Sequence, residues 1–244
     1  MGLNKMENRS KPMIGIPARY HKKSNTLGVK RAYIDEVLLA GGYPVLLTYN
    51  GDATELIVDE MLDGLLLIGG EDISPESGGA SKFTPGYQYC VERDIFELEL
   101  VKYGIKKGLP MLGICRGMQV LFSATGGEII YDVEEENKSG LKHRLSMLEP
   151  SFHDVKIFSD SKLFNICGQN KIHVTSYHHQ GIRWSPEQNA LWKISAKSED
   201  GIIEAIELKD AKYILGVLWH PEIKNNQTTS KHNIIRDFVL SLKR

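Results

Sequence analysis

Four short apolar runs, at residues 13–17, 44–48, 64–68 and 110–114, alternate with longer segments of helical periodicity, and no other feature of the chain limits its fold so strongly. Runs of five residues are too short for stable helices. Apolar throughout, they read as strands buried between two layers. Between the first two, residues 29–40 set Val29, Ala32, Tyr33, Val37 and Ala40 on one helical face before Gly41 and Gly42 stop it. Residues 54–62 and 91–105 carry the same period, and a loop rich in Gly, Ser and Pro fills 71–86. Strand and helix in alternation predict an α/β fold: a mostly parallel sheet with helices on both faces, whose ligands gather at the carboxyl ends of the strands.

The second half is strand-rich. Strands are expected at 155–158, 172–176, 192–196, 202–207 and 214–219, a polar surface loop at 134–142, and a closing helix at 233–242. A chain of 244 residues, 41% of them hydrophobic, can bury the core of one large domain, expected over 12–244 after a flexible polar segment at 1–11. No repeat, low-complexity tract or Pro-rich linker marks a further boundary. The 30 basic and 31 acidic residues are intermixed and leave a formal charge of −1, which argues against a polyanion-binding surface and against nucleic acid as a partner. Cys90, Cys115 and Cys167 are widely spaced and odd in number, as expected in a reducing compartment. The polar start lacks the apolar core of a signal peptide and no apolar run reaches membrane-spanning length, so a cytoplasmic chain without a membrane partner is expected.

The run at 110–114 leads into Gly113-Ile114-Cys115-Arg116-Gly117-Met118-Gln119, a G-x-C-x-G element between a strand and a helical pattern. A sharp strand-to-helix turn strains the residue at its apex, and flanking glycines remove Cβ atoms that would clash there. The helix N-terminus favours a thiolate and offers unpaired N–H groups to an oxyanion. Cys115 therefore reads as a nucleophile rather than as a small buried core residue, the commoner fate of a lone cysteine.

Such a nucleophile needs a base that later protonates the leaving group, and histidine suits this near neutral pH. Among eight histidines, His220 ends the apolar strand at 214–219 and has Glu222 two residues on, a carboxylate placed to fix its tautomer. Cys115, His220 and Glu222 form a candidate triad; the competing reading makes His220 a strand-end surface residue. Adjacent His178 and His179 cannot face the same way on an extended chain, so one is expected to line the cleft and the other to be structural. No metal site is expected, since neither H-E-x-x-H nor C-x-x-C occurs. Gly69-Gly70 follows a strand without a phosphate-binding G-K-[ST], and reads as a source of oxyanion-hole amides if its loop bends toward the elbow.

These pieces resemble the class I glutamine amidotransferase-like superfamily, with Gly113 to Gln119 as the nucleophile motif and Trp219-His220-Pro221-Glu222 as the His-Pro-Glu motif. The chain is most similar to the peptidase C26 group and to γ-glutamyl-γ-aminobutyrate hydrolases. Ser176-x-His178-His179-Gln180-Gly181, Asp200-Gly201-x-x-Glu204-Ala205-x-Glu207 and Gly69-Gly70-x-Asp72-Ile73-x-Pro75 carry that likeness. The resemblance implies a three-layer, flavodoxin-like fold and hydrolysis of a small-molecule γ-glutamyl amide through a thioester on Cys115, without a cofactor. It implies oxyanion stabilisation by the backbone N–H groups of Gly70 and Arg116, and binding of the γ-glutamyl group by Gln119, Ser176, Tyr177 and His178. Polyamine or γ-aminobutyrate metabolism is the pathway it suggests, and a homodimer is compatible with it. Two segments depart from the family pattern, Gly126 to Asp132 and the loop after Pro75, which lacks the usual Tyr; the second adjoins the part of the cleft that would take the amine. The alternatives are a glutaminase subunit feeding ammonia to a separate synthase, and a binding protein on the same fold with an inert elbow.

Overall fold

The computed structural model describes residues 10–21, 24–49, 54–79, 89–146, 149–223 and 234–243. Of the flexible segment expected at 1–11, all but Ser10 and Lys11 lies outside these residues, as do residues 80–86 of the expected loop. The first apolar run is strand β1 (Met13–Pro17), followed by a two-stranded ribbon of β2 (Arg19–His21) and β3 (Thr26–Gly28), helix α1 (Arg31–Leu39) and strand β4 (Tyr43–Leu47). The segment expected as one helix at 54–62 starts as α2 (Thr54–Leu56) and widens into a π-turn over Ile57–Met61 before β5 (Gly64–Leu67). Next come α3 (Pro75–Gly78), α4 (Val91–Lys107), β6 (Met111–Ile114) and α5 (Arg116–Ser123). The second half holds β7 (Glu128–Ile130), α6 (Val133–Glu136), β8 (Ser151–Ile157), α7 (Lys162–Cys167), β9 (Lys171–Ser176) and β10 (Gly181–Arg183). It ends with β11 (Trp192–Ser198), β12 (Ile203–Leu208), β13 (Ile214–Val217) and α8 (Ile234–Ser241).

One nine-stranded sheet, in the order β4-β1-β5-β6-β13-β12-β11-β8-β9, forms the centre among the described residues. From β4 to β13 every pairing is parallel, and the order is that of a flavodoxin-like sheet. The remaining pairings are antiparallel, so β12 and β8 run against the other seven strands. Alternate residues of each central strand enter opposite cores. Leu66, Ile68, Leu112 and Ile114 pack on the face covered by Tyr33 and Val37 of α1 and Phe238 of α8; Leu65, Leu67 and Met111 pack against Phe96 and Leu100 of α4 and Met118 of α5. Each fully buried Leu or Ile contributes about 1.5–3 kcal/mol, which explains why the apolar runs lack polar alternation. No helix among the described residues is long and apolar enough to cross a membrane.

Three details differ from the sequence expectation. The polar loop expected at 134–142 starts with one helical turn, α6, because Asp132 Oδ1 accepts from the N–H groups of Glu134 and Glu135 at 3.0 and 3.1 Å. Gly126 to Asp132 contains β7, which pairs with β10 in a ribbon outside the main sheet. Strand β8 begins at Ser151, four residues before the expected start at 155, because residues 151–154 pair with β9 although polar Ser151, His153 and Asp154 break the apolar run.

The direction of the strands decides what meets. The C-terminal ends of β5, β6, β13 and β9 lie at one edge, and the reversed β8 and β12 bring their N-terminal ends there. Register shifts in β11 at Ile194/Ala196 and Ala196/Lys197 add twist. The extension curls back until the Thr175 carbonyl of β9 accepts from the N–H of His220 at 2.9 Å.

Candidate active site

Cys115 stands at the apex between β6 and α5 with φ 53° and ψ −110°, a conformation that L-residues rarely hold. Its N–H donates to Val217 O at 2.8 Å, which ties the apex to β13. The flanking glycines serve close approach, as neither is among the residues with positive φ. A Cβ on Gly113 would stand 2.6 Å from the Gly117 backbone, and one on Gly117 would stand 2.2 Å from Leu67 O. The first turn of α5 leaves the Arg116 N–H without an intrahelical acceptor, as at any helix start.

Val217 of β13 pairs with Ile114 of β6, so His220 emerges beside the elbow. Its Nδ1 donates to Glu222 Oε1 at 2.7 Å, and the ring lines the cleft together with Cys115. Burial opposes a charge on this imidazole, but Glu222 and then Cys115 outweigh it and push His220 up to about 10. Burial likewise works against the Glu222 carboxylate, and His220 and Tyr33 nevertheless hold it below the usual range. The Tyr33 hydroxyl accepts from the Gly69 N–H at 3.3 Å and lies near enough to Glu222 for the carboxylate, after burial, to push the phenol up, so it stands between the acid of the candidate triad and the glycine turn.

That turn does bend toward the elbow. A Cβ on Gly69 would stand 3.0 Å from His220 Cε1 and 3.6 Å from Cys115 Cβ. A Cβ on Gly70 would stand 2.2 Å from Arg93 Nη1, part of a buried charge network beneath the site. Arg93 donates to Ile68 O at 3.1 Å and pairs with Glu97 at 2.6 Å and Glu71 at 3.3 Å. Arg116 pairs with Asp94 at 2.5 Å and with Glu97, and Arg19 closes on Glu71 at 2.9 Å. Three guanidinium groups therefore balance three carboxylates. Burial alone would raise the Glu71 carboxyl, yet Arg93 and Arg116 bring it below its ordinary value. With its side chain committed here, Arg116 can offer the cleft only its backbone.

The cleft is a cavity of about 310 Å³ whose lining includes Cys115, His220, Gly70 and Gln119, with Arg19 and Lys30 among its cationic members. Gln119 also donates to Gln180 O at 3.2 Å, and Tyr177 stands edge-on to the His220 ring at 5.5 Å between centroids. Ser176, expected in the binding set, does not reach this lining: its buried hydroxyl donates to His143 O at 2.6 Å. His178 and His179 face different groups, as expected, but both reach the lining. His179 contacts Asp72 at 2.9 Å and Asp132 at 3.5 Å. His178 turns its Nε2 to Glu204 at 3.3 Å, in a buried group with His143 and His153 that has the residue types of a metal site.

Sequence reasoning missed Tyr33 as a site residue, along with Arg93, Glu97, His143, His153 and Glu204. For Arg93 and Glu97 a signal existed: they sit four residues apart on the buried face of an otherwise amphipathic helix. Nothing local marked His143 or His153.

The family model for peptidase C26 matches residues 12–222. Protein NtpR of Enterococcus hirae is 31% identical over 212 residues, which cover 86% of this chain and 87% of that protein. The γ-glutamyl-γ-aminobutyrate hydrolase PuuD of Escherichia coli K12 is 27% identical over 253 residues, covering 96% of this chain and 95% of that one. Among solved structures, the glutaminase domain of Trypanosoma brucei CTPS with bound acivicin has a TM-score of 0.63 at 16% identity, covering 95% of this chain and 93% of its own, a likeness of fold.

Proposed function

The chain belongs to the peptidase C26 family, and from that premise we propose that it is a cysteine hydrolase of γ-glutamyl amides, γ-glutamyl-γ-aminobutyrate or a related γ-glutamylated amine. The observation that carries the reading is His220, bonded to Glu222 and lining one cleft with a cysteine held at positive φ on a strand-to-helix turn. An imidazole pushed up to about 10 keeps its proton at neutral pH, where a leaving nitrogen can take it.

An amide is a poor electrophile with a poor leaving group, so its cleavage benefits from division into two steps. In the first, Cys115 Sγ attacks the γ-carbonyl carbon and the carbonyl electrons move to oxygen. The N–H groups of Gly70 and Arg116 stabilise that oxyanion, each such donor being worth about 3 kcal/mol. The C–N bond then breaks as His220 delivers its proton to nitrogen, leaving a γ-glutamyl thioester and the free amine. In the second step His220 takes a proton from water, hydroxide adds to the thioester carbon, and glutamate departs as the C–S bond breaks. Glu222 holds the ring in the tautomer that both steps need. Gln119, Tyr177 and His178 line the cleft where the glutamyl portion would sit, and Lys30 favours a substrate that carries a carboxylate.

The test is glutamate release from γ-glutamyl-γ-aminobutyrate and from glutamine, measured side by side for the wild type and Cys115→Ala. Release from the first substrate that vanishes in the variant supports the reading. Release confined to glutamine would replace it with a glutaminase subunit, and no release from any γ-glutamyl amine would sink it.

A further inference from the structure

The strongest unexplained feature outside the Cys115 chemistry is the buried group at the start of β8 and β12 and the end of β9. His153 is the third residue of β8, Glu204 the second of β12, His178 the second after β9, and His143 lies on the segment between α6 and β8. All four are at most 4% exposed. The direction reversals of the sheet bring four separate segments to one point.

Each imidazole has a partner on its outer nitrogen that can only accept. His143 Nε2 meets Asp200 Oδ2 at 3.1 Å, His178 Nδ1 meets Gln180 O at 3.0 Å, and His153 Nδ1 meets Asp154 O at 3.4 Å. A neutral imidazole has a single N–H. Those partners hold it on the outside, which leaves the inner nitrogens as bare lone pairs. The inner nitrogens converge on one carboxylate oxygen: His143 Nδ1, His178 Nε2 and His153 Nε2 lie 3.2, 3.3 and 3.5 Å from Glu204 Oε1. Lone pairs pointed at a carboxylate repel it, and a metal cation held between them, or a second proton on one of the rings, turns this arrangement into an attractive one.

We propose that His143, His153, His178 and Glu204 bind one divalent transition-metal ion of the zinc class in tetrahedral geometry. Zinc bonds of about 2.0–2.2 Å place tetrahedral ligand atoms about 3.3–3.5 Å apart, which matches the three distances to Glu204 Oε1. The four ligand atoms lie within 4.8 Å of one another, so the remaining edges close by ring rotation. Three imidazoles and a carboxylate select zinc, nickel or copper over magnesium or calcium, which prefer all-oxygen shells. Asp200 and the carbonyls of Gln180 and Asp154 supply the outer hydrogen bonds that orient metal-bound histidines. Four protein ligands close the coordination sphere, so the ion is structural: it fixes His178 in the cleft wall and locks the reversed strands to β9. This holds whether or not Cys115 cleaves γ-glutamyl amides.

The experiment uses the full chain, stripped with a chelator and titrated with zinc against a fluorescent competitor, with absorption spectra recorded after cobalt loading. The expected result is one zinc per chain and the intense visible bands of tetrahedral cobalt, a signature read on the wild type that needs no variant to fold. Asp200→Asn should weaken zinc binding by about 10–100-fold, and His153→Asn should weaken it further. A chain that takes up no zinc would overturn the proposal and assign the cluster to a proton, with a charged His143 bridging Glu204 and Asp200. Zinc bound equally well by the wild type and both variants would overturn it as well, because the ion would then lie elsewhere.

Discussion

His220 and His178 are both buried, both beside a buried glutamate and both in the lining of the same cavity, yet their charges are driven apart. His220 is pushed up to about 10; His178, in the metal-free protein, is pushed down to about 4. Burial is the largest influence on each and disfavours the proton in both. The difference lies in how the carboxylate is shared. Glu222 serves one imidazole at 2.7 Å and is helped by Cys115, whereas Glu204 is divided among three imidazoles at 3.2 to 3.5 Å, and His143 and His153 push His178 further down. A carboxylate given to one imidazole makes an acid of it; of the imidazoles that share Glu204, His178 loses its proton while His143, which also has Asp200, is raised against its burial.

The largest effects that test this contrast come from the matched changes Glu222→Gln and Glu204→Gln. Losing the partner of His220 should lower kcat by on the order of 10⁴-fold, by analogy with removing the orienting carboxylate of other triads. Losing Glu204 should instead show in the unfolding free energy, with a loss on the order of 2–4 kcal/mol in urea titrations. If the two variants have interchangeable phenotypes, the contrast between an acid and a scaffold fails.

Gly117→Ala follows in size. Its Cβ would stand 2.2 Å from Leu67 O, and backbone on both sides cannot give, so the elbow must move away from β5. Activity should fall by at least about 100-fold while the chain still folds. A fully active variant would mean that Cys115 does not depend on this close packing.

The pH dependence of stability gives a third, smaller effect. A pKa raised on folding contributes stability that is complete below the unfolded value, about 6.5, and is lost as pH rises through the folded one. For His220 the loss therefore runs from about pH 6.5 to about 10. It should amount to on the order of a few kcal/mol between pH 7 and 10.5, and Glu222→Gln should flatten this part of the profile. An unaltered profile in that variant would show that Glu222 is not what raises His220.

Tyr33→Phe should have the mildest effect. It removes the hydroxyl that accepts from the Gly69 N–H beside Glu222, and is expected to lower kcat about tenfold with KM little changed. A change in KM alone would place Tyr33 on the substrate side instead.

The catalytic candidates were legible because their signals are local. Gly113, Cys115 and Gly117 lie within five residues, and His220 and Glu222 within three, so a strand-turn-helix pattern and one carboxylate offset were enough to find them. Glycines at 69 and 70 were legible for the same reason, although the structure alone shows that Arg93 fills the space beside Gly70. Ser176 misled: its place in a motif suggested the cleft, but its hydroxyl is spent on His143 O. The His143, His153 and Glu204 group was invisible, because 51 residues separate His153 from Glu204 and polar Ser151, His153 and Asp154 hide the start of β8 from an apolar pattern.

The amino-acid sequence by itself determined the alternation of buried strands and amphipathic helices, the edge of the sheet where ligands gather, and the elbow that carries Cys115. These follow from periodicity and from short-range sterics, which act between neighbours in the chain. Tertiary structure alone decided which imidazole is charged and which carries a bare lone pair, because that depends on burial and on how many groups share each carboxylate. Those quantities are set by strand direction and by the curl of the sheet, which bring Glu204 to three histidines and leave Glu222 with one.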